Sequence, residues 1–233
     1  MAVLGDGIRI LRTSDLFPIF EDTLHVAYGA FSSDGMRFYC PYGNYLTEPA
    51  QILVVDLRHH RTRSIPVPSG AILTNVIPSA DESRLYLWYE LGSCASGFMV
   101  YDPREDSVLY YDQLTPGKGQ MLLSPNGNIV FYTNPGPWLD IGCPHPPSKI
   151  YAYDARSNSS TTISTLGLVP APFDKYLPMG ELAITPDGDW LTMAADGGWP
   201  FILCLNMSTM TLEKYYEMNG SHQIMNLTCQ NRR

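Results

Sequence analysis

Residues 31–67, FSSDGMRFYCPYGNYLTEPAQILVVDLRHHRTRSIPV, hold an apolar run, an Asp-Gly turn, a second apolar run, a loop, a third apolar run ending in Asp, and a short hairpin. Asp-Gly between two apolar runs is a strong hairpin signal, because glycine accepts positive φ without steric cost. The same pattern recurs along the chain. Aligned on the run that ends in Asp, the copies are GIRILR (7–12), QILVVD (51–56), GFMVYD (97–102), KIYAYD (149–154) and FILCLN (201–206). Their last residues, Arg12, Asp56, Asp102, Asp154 and Asn206, fall 44, 46, 52 and 52 residues apart.

A second register agrees with the first. Ser33-Asp34-Gly35, Ala80-Asp81-Glu82, Pro125-Asn126-Gly127 and Pro186-Asp187-Gly188 each separate two apolar runs. The repeat unit therefore has four strands, a to d. The a strands are expected at 26–32, 72–79, 120–125 and 180–186, and the b strands at 37–42, 84–90, 128–134 and 189–196. The c strands are the five aligned runs, and the d strands are expected at 15–20, 62–67, 107–112, 161–166 and 212–217. Val, Ile, Tyr, Phe and Leu dominate these runs, as half-buried pleated surfaces favour. Repeats of about 40 to 50 residues with four strands each are the signature of propeller blades. The expected fold is all-β: a β-propeller of four-stranded antiparallel blades, with four complete blades and partial terminal ones, forming a single domain over residues 1–233.

The SSDG, SPNG and TPDG turns, followed by RFYCPY, NIVFYT and DWLTMA and then by ILVVDLRHHRTRSIPV, resemble the repeat of YVTN-type and lactonase-like β-propellers, distant relatives of WD-repeat propellers. The resemblance spans nearly the whole chain and speaks to fold far more than to chemistry. The Gly-His and Trp-Asp signatures of the WD-repeat class do not occur at the expected places.

The first copy opens on strands c and d. The last segment, Gln223 to Cys229, reads as another a strand, and Arg232-Arg233 stand where its b strand would begin. This implies either a five-bladed ring whose closing blade lacks strand b, or a piece of a larger propeller with contacts to further blades. The second reading avoids leaving a slot with unpaired backbone groups, which are costly when buried.

A net charge of −8 argues against nucleic acid, which demands a basic patch. The only basic cluster, Arg58-His59-His60-Arg61-Thr62-Arg63, falls on a c–d hairpin and reads as a solvated turn. No run of about 18 apolar residues occurs, so no membrane span is expected. The sequons at Asn158, Asn206, Asn219 and Asn226 lean toward an extracellular or exported protein, although Asn226 lies in a predicted inner strand. Cys40 and Cys204 sit in apolar strand runs and read as small buried hydrophobes. Cys94 and Cys143 occupy b–c loops on one face, where a disulfide between them would suit an oxidising compartment.

The position six residues before each turn Asp or Asn is polar throughout: Tyr28, Asn75, Gln120 and Glu181. Polar residues heading every inner strand would ring the channel mouth on the face of the d–a and b–c loops, and convergent polar groups at a concavity form a ligand site. The longest b–c insertion, PGPWLDIGCPHPPS (135–148), brings Trp138, Asp140 and His145 to that face. The fourth d–a loop adds Asp174 and Lys175, and the first b–c loop adds Asn44, Tyr45 and Glu48. The carboxylates with Asn44 and Asn75 could hold a hard cation through oxygen, but no fixed spacing favours that set. There is no G-x-S-x-G, no H-E-x-x-H, no phosphate-cradling loop and no Rossmann fingerprint, so no cofactor is expected. The sequence reads first as a noncatalytic domain binding a small molecule or protein on the loop face, and second as a lactonase-like or other hydrolytic propeller enzyme with a loop-borne site that a metal could assist. The Asp closing the c strands at Asp56, Asp102 and Asp154 recurs from copy to copy and is read as turn chemistry.

Overall fold

A computed structural model describes residues 1–4, 7–23, 28–42, 50–67, 72–90, 95–114, 119–134, 149–163, 179–185, 187–195 and 201–217. These form two compact units, Met1–Ser93 with Gly97–Asp112, and Cys94–Ser96 with Gln113–Arg233. Every described regular element is a strand.

The first unit starts with a three-stranded sheet of β1 (Ala2–Leu4), β2 (Ile8–Leu11) and β3 (Pro18–Asp22) in the order β1-β2-β3. Next comes a four-stranded meander of β4 (Ala30–Phe31), β5 (Arg37–Tyr42), β6 (Gln51–Asp56) and β7 (Arg61–Pro66). A second meander follows, made of β8 (Ile72–Pro78), β9 (Leu85–Glu90), β10 (Ser96–Asp102) and β11 (Ser107–Leu114). Pairing between neighbours is antiparallel and in the expected register, Arg37 opposite Asp56 and Asp56 opposite Arg61.

The alternation on β5 and β6 explains how this sheet is held from both sides. Tyr39, Ile52 and Val54 pack toward the β8–β11 sheet with Val76, Leu85, Leu87 and Met99. Their chain neighbours Phe38, Cys40, Leu53 and Val55 pack the opposite way, against Ile8 and Ile10 of β2. A strand buried on both faces reads as a continuous apolar run, and each large aliphatic side chain removed from water contributes about 1.5–3 kcal/mol.

The second unit holds two meanders. The first comprises β12 (Met121–Leu123), β13 (Ile129–Asn134), β14 (Lys149–Asp154) and β15 (Ser159–Ile163). The second comprises β16 (Met179–Ile184), β17 (Trp190–Ala195), β18 (Phe201–Asn206) and β19 (Thr211–Glu217). Phe131, Ile150 and Ile163 of one sheet meet Leu182, Leu191, Met193, Leu203 and Leu205 of the other in a single core. Within each unit the a strands of adjacent sheets approach one another, β4 with β8 and β12 with β16, as inner strands of neighbouring blades do.

The sequence reading needs correction at the N-terminal sheet. The chain does not open on strands c and d: β1 pairs antiparallel with β2, Ala2 opposite Ile10 and Leu4 opposite Ile8, and fills the b position. Bonds between Met1 and Leu11 at 2.8 and 3.0 Å extend the ladder by one residue. The following d strand starts at Pro18 rather than Asp15, because the hairpin closes through Leu16 N–H to Arg12 and Arg12 N–H to Phe17. The expected strand at 223–229 lies outside the described residues, as do Cys94 and Cys143. Cys40 and Cys204 are buried, as expected, and neither is in a disulfide. Among the described residues no helix is long and apolar enough to cross a membrane.

Candidate functional site

Each meander presents two ends. The a–b turns and c–d hairpins share one, and the d–a and b–c connections share the other.

At the loop end, the polar positions heading the a strands fall where the sheet ladder stops or skips. In the first unit Tyr28 stands two residues ahead of β4 and is 43% exposed. Asn75 is half-buried on β8, directly after a register shift that leaves Leu73 opposite Tyr89 and Asn75 opposite Trp88. In the second unit Gln120 immediately precedes β12, its backbone tied to Thr133 by N–H to Oγ1 at 3.4 Å and by C=O from N–H at 3.1 Å. Glu181 lies inside the irregularity between Met179 and Leu182 of β16. Irregular pairing of this kind re-aims side chains and gathers near binding sites. The remaining loop candidates, Glu48, Trp138, Asp140, His145 and Asp174, lie outside the described residues, as do Asn44, Tyr45 and Lys175. Among the described residues no three His, Cys, Asp or Glu side chains are close enough to share a metal ion.

At the turn end the repeat is stitched by a polar pair. Ser32 Oγ donates to Asp34 at 2.6 Å and accepts from Arg37 N–H at 2.9 Å, while Asp34 accepts from Met36 N–H. Ser79 with Asp81, Ser124 with Asn126, and Thr185 with Asp187 repeat the arrangement. These bonds favour the ionised carboxylate and hold Asp81 down at about 2, led by the Ser79 hydroxyl. The c–d hairpins are capped likewise: Asp56 and Asn206 accept from the N–H groups two and three residues on. Asp56, bonded to His59, lies at about 2. The recurrent Asp is thus turn chemistry, as its recurrence implied, and the basic hairpin at 58–63 is solvent-exposed.

Sequence reasoning missed what Glu82 does. It occupies the glycine position of its turn at φ 56° and reaches across to the adjacent sheet. Arg37 Nη1 donates to both its carboxylate oxygens, at 2.7 and 2.8 Å, and the Tyr39 hydroxyl donates to Oε2. Ser33 Oγ adds a bond to the Ala80 carbonyl at 2.8 Å. Burial, then the bond to Glu82, pushes the Tyr39 phenol well above its ordinary value. The signal was the break in Asp-Gly at Asp81-Glu82. In the second unit the corresponding place between turns is open, a groove of about 520 Å3 lined in part by Asn126, Asp187, Asp189 and Trp190.

No family model and no curated protein matches the sequence. Solved structures do share its fold. Hydrazine synthase from Kuenenia stuttgartiensis is similar with a TM-score of 0.64 at 16% identity, over 87% of this chain and 59% of that one. TolB from Acinetobacter baumannii gives 0.61 at 14%, over 91% and 51%. The β-propeller domain of Cps50 (Swd1) from Myceliophteria thermophila gives 0.65 at 10%, over 93% and 68%. The chain thus spans 59% and 51% of the hydrazine synthase and TolB chains. Together with the antiparallel meanders, these likenesses establish an all-β propeller fold, and at such identities they establish the fold alone.

Proposed function

We propose that this chain is a noncatalytic binding domain that receives a small molecule or a protein at the loop end of its sheets. Tyr28, Asn75, Gln120 and Glu181 are the inner polar contacts, and Glu48, Trp138, Asp140, His145 and Asp174 are supplied by the connections. One observation supports the reading: in each of the four described four-stranded sheets the polar position falls where regular strand pairing halts or is interrupted. The YVTN-like turns and the hairpin sequons Asn158 and Asn206 fit an exported binding domain of this kind.

The test is a ligand-observed 19F NMR screen of a fragment library against the chain and its Asn75→Ala and Gln120→Ala variants. Fragments displaced by one or both substitutions, with unchanged melting curves, would support the assignment. Hits indifferent to both substitutions would remove it. Saturable hydrolysis of a lactone panel, abolished by substituting the loop carboxylates, would replace it with the hydrolase reading.

A further inference from the structure

The groove of the second unit lies at the turn end, opposite the loop end assigned above. Its origin shows in a position-by-position comparison of the two units. Counted from the hydroxyl residue that opens each turn, Arg37 corresponds to Ile129, Tyr39 to Phe131, and Glu82 to Gly188. All three members of the hydrogen-bonded clamp between the β4–β7 and β8–β11 sheets are replaced together by residues that cannot form it. Where the first unit inserts its own guanidinium between two turns, the second keeps a groove of about 520 Å3, within the roughly 300 to 1,000 Å3 typical of ligand sites.

The lining is suited to what was lost. Among the described residues it contains the carboxylates of Asp187 and Asp189 and no Lys or Arg. Asp187 uses one oxygen, Oδ1, for the Thr185 hydroxyl and the Asp189 N–H. The exposed Asp189 carboxylate takes no hydrogen bond or ion pair from the described residues. The same lining includes the half-buried Trp190, Ile129 and Met207, which add aromatic and aliphatic surface. A planar cation on an apolar stem matches such a surface, stacking on the indole while its N–H groups meet carboxylate oxygens. The backbone leaves the space open: a Cβ on Gly188 would meet nothing nearer than Pro125 Cγ at 3.5 Å.

We infer that the groove between the Ser124–Ile129 and Thr185–Trp190 turns is a binding site for an arginine side chain of a partner peptide, the guanidinium taking the place that Arg37 fills in the first unit. The chain carries its own reference for the occupant in the Arg37–Glu82 pair.

The probe is the capped tripeptide Ac-Gly-Arg-Gly-NH2, titrated against the whole chain by 1H–15N NMR and followed at the Trp190 indole and the Asp189 amide. The control is the same peptide with citrulline, which keeps the shape and removes the charge. Saturable shifts at both signals are expected, with citrulline at least tenfold weaker. Asp189→Asn should weaken the arginine peptide several-fold, and Ile129→Arg with Gly188→Glu should rebuild the internal clamp and abolish binding. Should the double variant fail to fold, Asp189→Asn still decides, since its side chain takes no hydrogen bond or ion pair from the described residues. Absence of saturable shifts at millimolar peptide, equal affinity for citrulline, or binding unchanged by Asp189→Asn would each overturn the inference. Because none of these readouts involves the loop end, the assignment made there stands or falls separately.

Discussion

Replacing Glu82 by glycine should destabilise the first unit even though glycine suits the local backbone better. The residue sits at φ 56°, where a side chain costs about 1 kcal/mol, so the substitution returns roughly that amount. Against it stands the loss of both Arg37 bonds and of the acceptor for Tyr39. The Arg37 side chain is 42% exposed and that of Glu82 17%, so solvent screening leaves the ion pair at about 1 kcal/mol. Tyr39 is buried at 2% exposure, and a phenol deprived of its partner there costs about 1–3 kcal/mol. The net loss is about 2 kcal/mol, readable as a lowered urea midpoint at unchanged slope, with fluorescence of the buried Trp88 as the probe. Adding Tyr39→Phe should return part of the loss, because removing both partners of a buried hydrogen bond is nearly neutral. That combination already stands in the second unit as Phe131 and Gly188. A Glu82→Gly protein as stable as its parent, or a double variant weaker than the single one, would refute the clamp.

Three further outcomes follow from the same geometry. Asp56 and Asp81 have folded values near 2, below the unfolded carboxylate range of about 4, so their stabilisation is complete above that range and is lost as pH falls toward 2. In acid titrations followed by circular dichroism, Asp81→Asn should flatten the loss over that interval while leaving neutral stability near that of the parent, since Asn126 fills the same role in its own turn. A Cβ on Gly97 would collide with the Asp112 carbonyl and the Tyr89 hydroxyl, so Gly97→Ala should lower stability by about 1–3 kcal/mol in urea titrations and disturb the Tyr89–Tyr111 stack. Burial pushes the Cys40 thiol up to about 12, and peptide mapping after mild thiol labelling should find Cys40 and Cys204 unmodified until denaturant is added.

Strand order and register were legible because recurrent apolar runs and Asp-Gly turns state them locally. β1 was not, although Gly5-Asp6-Gly7 between Ala2–Leu4 and Ile8–Leu11 is itself a turn signal. Three residues carry too little periodicity to be read as a strand. The four loop-end positions were found by counting back from the turns, but the shifts at Asn75 and Glu181 were hidden, since an irregularity changes pairing without changing composition. Glu82 was invisible for the opposite reason. Its partners lie more than forty residues away in sequence, and only the packing of two sheets brings them to it.

Five successive c–d hairpins place a residue other than glycine at positive φ: Leu16, His60, Asp106, Asn158 and Met210. No side-chain property is common to an aliphatic, an imidazole, an acid, an amide and a thioether, so the conformation is imposed by the turn around it. Each departure from glycine there costs about 1 kcal/mol, little enough to be absorbed in a fold of many such units. What recurs from copy to copy is a torsion angle rather than a letter. A fold built this way can exchange most of its residues while its backbone still superimposes on structures that share few of them, so that shape outlasts the written text.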